Sequence, residues 1–154
     1  LTVTEEIRFY RAVGPYGFLS NLYRQPLFFE GRFFRSAEDA YQYGKPRKTE
    51  VADWLVAAPS PHLCAAAAHA LFAFDVRPDW NQIKLERMRQ VLRAKFTQHR
   101  ELKLSLLQTG DARLIEESAT DAFWGIGKTR KGKNMLGVLL MEIRQELREE
   151  KDGR

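Results

Sequence analysis

The sequence predicts an α+β fold: a single mostly helical domain over residues 1–154, with its core across about 9–148, and a small antiparallel sheet. Three observations predict it. Short aromatic stretches with strand-like patterning crowd the first 35 residues around a tight-turn signal, Glu30-Gly31. From Ser36 onward, capping residues and prolines open a succession of helices. No repeat, linker or low-complexity tract divides the chain, and 154 residues can bury a core without disulfide or metal.

Within residues 1–10, Ile7 and Phe9 alternate with polar neighbours, a strand pattern. Gly14 and Pro15 then break regular structure in an aromatic loop reaching Tyr23, of a kind that binds a ligand or plugs the core. Leu27–Phe34 reads as a hairpin, and residues 114–117 as a further short strand of the same sheet. Ser36 caps a short helix that Pro46 stops, and its aromatic flanks, Phe28, Phe29, Phe33, Phe34 and Trp54, place it inside the fold. Thr49 caps a second helix, and Ser60-Pro61 opens a third that runs through the alanines to about Phe72. The longest helix spans Trp80–Gln98, with Trp80 as core or hinge. Glu101–Leu107 makes a short one, and Leu136, Leu139, Leu140, Ile143 and Leu147 mark the last.

Composition narrows the function classes. A hydrophobic share of 44% and a charged share of 29% are those of an ordinary soluble domain, and a net charge of +5 favours anionic ligands without choosing one. One cysteine, Cys64, excludes an internal disulfide and a cysteine zinc cluster, and its alanine-rich setting reads as a buried thiol. His62, His69 and His99 are too scattered to ligate a metal. No P-loop, dinucleotide fingerprint or nucleophile elbow is present, so neither a metal nor a cofactor is expected. The sequence carries no membrane span or signal-peptide pattern, which makes the cytoplasm the expected compartment.

Two stretches carry unusual chemistry. On the Ser36 helix, at about 100° per residue, Gln42 falls roughly 40° from Glu38, Lys45 roughly 20° to the other side and Tyr41 roughly 60° away. A carboxylate, an amide, an amine and a phenol share one face, while Ala37, Ala40 and Gly44 keep another face small. Alone, such a face reads as a solvated surface, and the aromatic flanks are what favour a site. The second stretch, Asp121–Asn134, sets an acid, Trp124 and four cations on a loop punctuated by Gly125, Gly127 and Gly132. Asn134 is expected to cap the last helix, leaving free N–H groups that suit a phosphate. A solvated basic loop over a buried Trp124 is the alternative.

Tyr16-Gly17-Phe18-Leu19-Ser20-Asn21, Ser36-Ala37-Glu38 with Tyr41-Gln42 and Lys45, Arg93-Ala94-Lys95-Phe96, and Asp121–Gly125 with Gly132–Gly137 together resemble the YbiA-like or NADAR family, from about Phe9 to Arg144. Asp39 stands where the family commonly has histidine. It points away from the Glu38 face, so the change is expected to touch capping more than chemistry.

The resemblance implies an N-glycosidase that cuts a ribosyl C1′–N bond. Its substrate would be a ribosylamino-pyrimidine phosphate of riboflavin synthesis or ADP-ribose on guanine of nucleic acid. Breaking that bond requires an anion near the sugar and a proton near the departing nitrogen. Glu38 and Asp121 are the expected carboxylates, and Lys45 either attacks an opened sugar or holds a phosphate. Phe18, Ser20, Asn21, Tyr41, Gln42, Trp124, Gly125, Gly127 and Asn134 are expected to bind substrate. A non-catalytic ADP-ribose or nucleic-acid binding module is the competing expectation. Oligomeric state is not legible.

Overall fold

The computed structural model describes residues 5–152, so Leu1–Thr4 of the first strand-like stretch and the last two residues of the charged tail lie outside it. Two compact units are defined by their internal packing: residues up to Tyr23 together with those from His99 onward, and Arg24–Gln98.

In the Arg24–Gln98 unit, β2 (Arg24–Phe29) and β3 (Arg32–Ser36) form the antiparallel hairpin, with Leu27 opposite Phe34 and Phe28 opposite Phe33. Glu30 and Gly31 both take positive φ, 50° and 79°, as a two-residue turn matched to strand twist requires. Strand alternation sends Leu27 and Phe34 inward, to a cluster with Ala37, Ala40 and Val91. Phe28 and Phe33 face outward and pack on each other at 4.9 Å. The side-chain amide of Gln98 accepts from the Phe28 N–H (2.7 Å) and donates to its carbonyl (2.6 Å), occupying the β2 edge there.

Helices α1 (Ala37–Gln42), α2 (Thr49–Val56), α3 (Pro61–His69) and α4 (Trp80–Gln98) complete this unit, and α1 packs against α2, α3 and α4 as well as both strands. Ser60 caps α3 as expected, accepting from the Leu63 N–H at 3.1 Å. Thr49 does not cap α2: Lys48 holds the cap position with no side-chain bond, and Thr49 is the first helical residue. Trp54 is 61% exposed, so α1 is buried by its alanines and the hairpin rather than by that indole.

In the other unit, β1 (Glu6–Phe9) runs parallel to β4 (Arg113–Glu116), with Ile7 opposite Leu114. The antiparallel sheet is therefore the hairpin alone, and the N-terminal strand joins 113–116 in a separate pair. Alternation marks the face a strand buries but carries no information on its partner's direction, which is why the pairing is not legible in the sequence. α5 (Arg100–Gln108) packs on α6 (Met135–Lys151), and α6 packs on β4. Among the described residues, no helix is long and apolar enough to cross a membrane.

Candidate active site

Six residues are too few for a helix to hold itself, so α1 depends on its ends. At the start, Ser36 Oγ accepts the Asp39 N–H at 3.1 Å. The Asp39 carboxylate takes the Ser36 hydroxyl (3.0 Å) and two nitrogens of Arg35 (2.6 and 3.2 Å), so Asp39 serves the cap as expected, through the hydroxyl rather than the Ser36 N–H. At the far end, Arg87 of α4 donates to the carbonyls of Tyr41 (3.0 Å) and Ala40 (2.6 Å) and to Glu30 (2.8 Å). A cation on the last carbonyls also complements the helix dipole.

The helix stops at Gln42, and Gly44 and Lys45 follow in tight turns bonded back to Tyr41 and Gln42. Lys45 therefore does not ride on the helical face. Its carbonyl accepts the Arg77 N–H at 3.0 Å, which pulls the chain into extended pairing with 75–77 before Pro46 alone would have ended the helix.

Gln42 is buried and its Nε2 donates to Glu38 Oε2 at 2.7 Å. Tyr41, also buried, packs its ring 5.1 Å from Trp80. The Lys45 ammonium donates to the Ala68 carbonyl at 2.8 Å, in the last turn of α3. Burial holds the Lys45 amine below its ordinary value, the Lys84 charge adds to the lowering, and Glu38 opposes it. Glu38 and Lys45 thus sense each other electrostatically. Burial, with Asp39 and Glu38 assisting, pushes the Cys64 thiol up and keeps it protonated.

The other unit holds the remaining candidates. Ser20 and Asn21 are buried and Phe18 half-buried, and Ser20 Oγ accepts the Leu22 N–H at 3.2 Å, closing a turn. Asp121 Oδ1 accepts two backbone N–H groups, Phe123 (2.9 Å) and Trp124 (2.8 Å), so one oxygen of that carboxylate holds its own turn. Gly125 is required by close approach, since a Cβ there would lie 2.9 Å from the Glu116 carbonyl oxygen as well as 2.6 Å from its Oε2.

Asn134 stands at the N-cap position of α6, its carbonyl accepting the Val138 N–H at 2.9 Å, but its side chain makes no cap bond. With φ at 52°, it turns its side chain to β4, accepting the Glu116 N–H and donating to the Leu114 carbonyl, both at 2.9 Å. Nor are the N–H groups expected for a phosphate free. Those of Asn134, Met135 and Leu136 go to the carbonyls of Gly125 (3.0 Å), Phe123 (2.9 Å) and Trp124 (3.0 Å). The 121–134 loop folds back onto the start of α6 and takes up these three donors, a pairing the local sequence does not announce.

Residues 8–148 match the NADAR domain. The chain belongs to the NADAR family. It is 38% identical over 145 residues to N-glycosidase YbiA of Shigella flexneri serotype 5b, covering 94% of this chain and 90% of that protein. It is 37% identical to a riboflavin biosynthesis protein of Vibrio vulnificus, covering 94% of this chain but 39% of that longer one. The NMR structure of the E. coli protein YbiA superposes with a TM-score of 0.88 at 35% identity, spanning all of this chain and 91% of that one.

In this NADAR domain, then, Glu38, Tyr41, Gln42 and Lys45 are gathered in the Arg24–Gln98 unit, and the remaining eight sequence candidates lie in the other. Sequence reasoning missed Arg87, which reads as one more cation on the polar side of α4, and Lys84, whose charge reaches Lys45. It also missed Glu116, whose carboxylate packs at Gly125. A glycine within a polar loop is the one signal that could have pointed to that contact.

Proposed function

We propose that this NADAR protein is an N-glycosidase that cleaves the C1′–N bond of a phosphorylated ribosyl-nitrogen compound. The observation that carries the reading is the Glu38–Lys45 pair: a carboxylate held by Gln42 beside a half-buried amine whose proton affinity is lowered by burial and by Lys84. A lysine so placed has a larger share of free amine and is a better nucleophile. With a glycosylamine, the opened sugar carries a C1′=N bond. The Lys45 amine adds to C1′, the original nitrogen takes a proton and leaves with its bond to C1′, and a C1′=Nζ Schiff base remains. Water then adds to C1′ and releases the sugar aldehyde and free Lys45. Glu38 is the acid–base group, giving the proton to the departing nitrogen and receiving one from the water.

The Vibrio vulnificus relative's name supports a ribosylamino-pyrimidine phosphate as substrate. ADP-ribose on guanine of nucleic acid is the second reading, favoured by the exposed cations Lys128, Arg130 and Lys131. With the Asn134, Met135 and Leu136 N–H groups taken up, the anion-binding groups that remain on the 121–134 loop are these side chains and Lys133. Asp121 has the smaller chemical part, because Oδ1 already serves the Phe123 and Trp124 N–H groups.

Mass spectrometry of products tests the proposal. The parent chain should release sugar phosphate or ADP-ribose from one of the two substrates, Glu38→Gln should lose most of that activity, and borohydride should trap the sugar on Lys45. Release without a trapped adduct would leave Lys45 as a phosphate-binding cation. Saturable binding without release, unchanged in Glu38→Gln, would replace the enzyme by a reader.

A further inference from the structure

Gln42 is only 4% exposed, and its two amide atoms fare differently. Nε2 donates to Glu38 Oε2 at 2.7 Å, whereas Oε1, fully buried, accepts no hydrogen bond from any described residue. A buried carbonyl oxygen without a donor keeps the full cost of its lost hydration. Flipping the amide does not relieve this, because Oε1 would then face the carboxylate, acceptor against acceptor. The bond to Glu38 Oε2 dictates the orientation and leaves the other amide atom, Oε1, orphaned. An apolar side chain of similar length would carry no such burden on a helix packed by Ala37, Ala40, Leu27, Phe34 and Val91.

Resting on the N-glycosidase reading above, we infer that Gln42 is a positioning residue, present to fix the Glu38 carboxylate and a net burden on the fold. It is not a substrate-binding group. Its amide pins Oε2 four residues back along the helix, one turn away, and so restricts the three side-chain torsions of Glu38. Preorganising the acid–base group acts on the chemical step and leaves the binding of substrate unchanged.

The test compares the full chain with Gln42→Met and Gln42→Asn, reading Tm by calorimetry and kcat and KM separately on the substrate the parent cleaves. Gln42→Met should raise Tm by about 2–6 °C. Its kcat should fall at least about tenfold, while KM stays within about threefold. Gln42→Asn keeps an amide one methylene too short to reach Glu38, and should lose kcat without the gain in Tm. A raised KM with kcat kept would make Gln42 a substrate contact and overturn the inference. So would a lowered Tm in Gln42→Met, or full activity in either variant. Should the parent cleave neither substrate, the N-glycosidase reading falls separately, and the sign of the Tm change still decides whether Gln42 burdens the fold.

Discussion

The guanidinium of Arg87 fills the space that a Cβ on Gly44 would occupy. From there it reaches the carbonyls of Ala40 and Tyr41, so the residue just past the end of α1 has to be small for the helix to be held from α4. Glu38 and Gln42 project from that helix, and Lys45 is the next residue after the glycine. One interlock therefore sets the end of α1 and the start of the Lys45 turn.

Gly44→Ala should displace Arg87 and cost about 2–4 kcal/mol in urea unfolding, from overpacking and two lost charge-assisted bonds. Arg87→Ala should cost a similar amount. Because both remove the same interlock, the double variant should be far less unstable than the sum of the two. Additive losses would show that the two residues act independently.

Asn134 offers a second structural test. Its Oδ1 accepts from Glu116 and its Nδ2 donates to Leu114, so Asn134→Ala should cost about 2–3 kcal/mol. Asn134→Asp keeps the first bond but sets a buried carboxylate oxygen against the Leu114 carbonyl. At pH 7 it should be at least as unstable as Asn134→Ala, and it should recover as acid protonates the carboxylate. Equal stability of Asn134→Asp and the parent at pH 7 would refute the assigned bonds.

Much of this fold is legible because its signals are local. Glu30-Gly31, Ser36, Ser60-Pro61 and the apolar stripe of α6 announce a turn, two caps and a packed helix through neighbours in sequence. What escapes is nonlocal. The β1–β4 direction and the reach of Arg87 to α1 join segments far apart in sequence, and the donation of the α6 N–H groups to residues 123–125 closes a loop back on itself. The site divides the same way. The Gln42–Glu38 contact follows from helical spacing, while Lys45 departs from it because a tertiary bond from Arg77 overrides the local geometry.

Lys95 of α4 is almost wholly buried beside the Phe96 ring, and burial drives its amine down to about 7. The unfolded chain keeps an ordinary lysine near 10.5. Between those values the unfolded state holds the proton and the folded state does not, so stability rises with pH from about 7 to 10.5, by up to about 1.4 kcal/mol per pH unit. Lys95→Met should be more stable than the parent at pH 7 and should flatten that rise. Urea midpoints measured across pH 6–10 check this, and a parent curve that is flat or falling in the window would contradict it.

Asp121→Asn separates a turn from a reaction. Asparagine keeps an Oδ1 that can accept from Phe123 and Trp124, so the turn and the melting temperature should persist, whereas Asp121→Ala should lose about 1–2 kcal/mol. A carboxylate that donates or removes a proton during catalysis cannot be replaced by an amide without losing orders of magnitude in kcat. With Glu38 as the acid–base group, Asp121→Asn should keep kcat within about threefold of the parent. Glu38→Gln, equally well folded, should lose at least about a hundredfold. The reverse ranking would move the proton transfer to Asp121 and leave Glu38 as the partner that tunes Lys45.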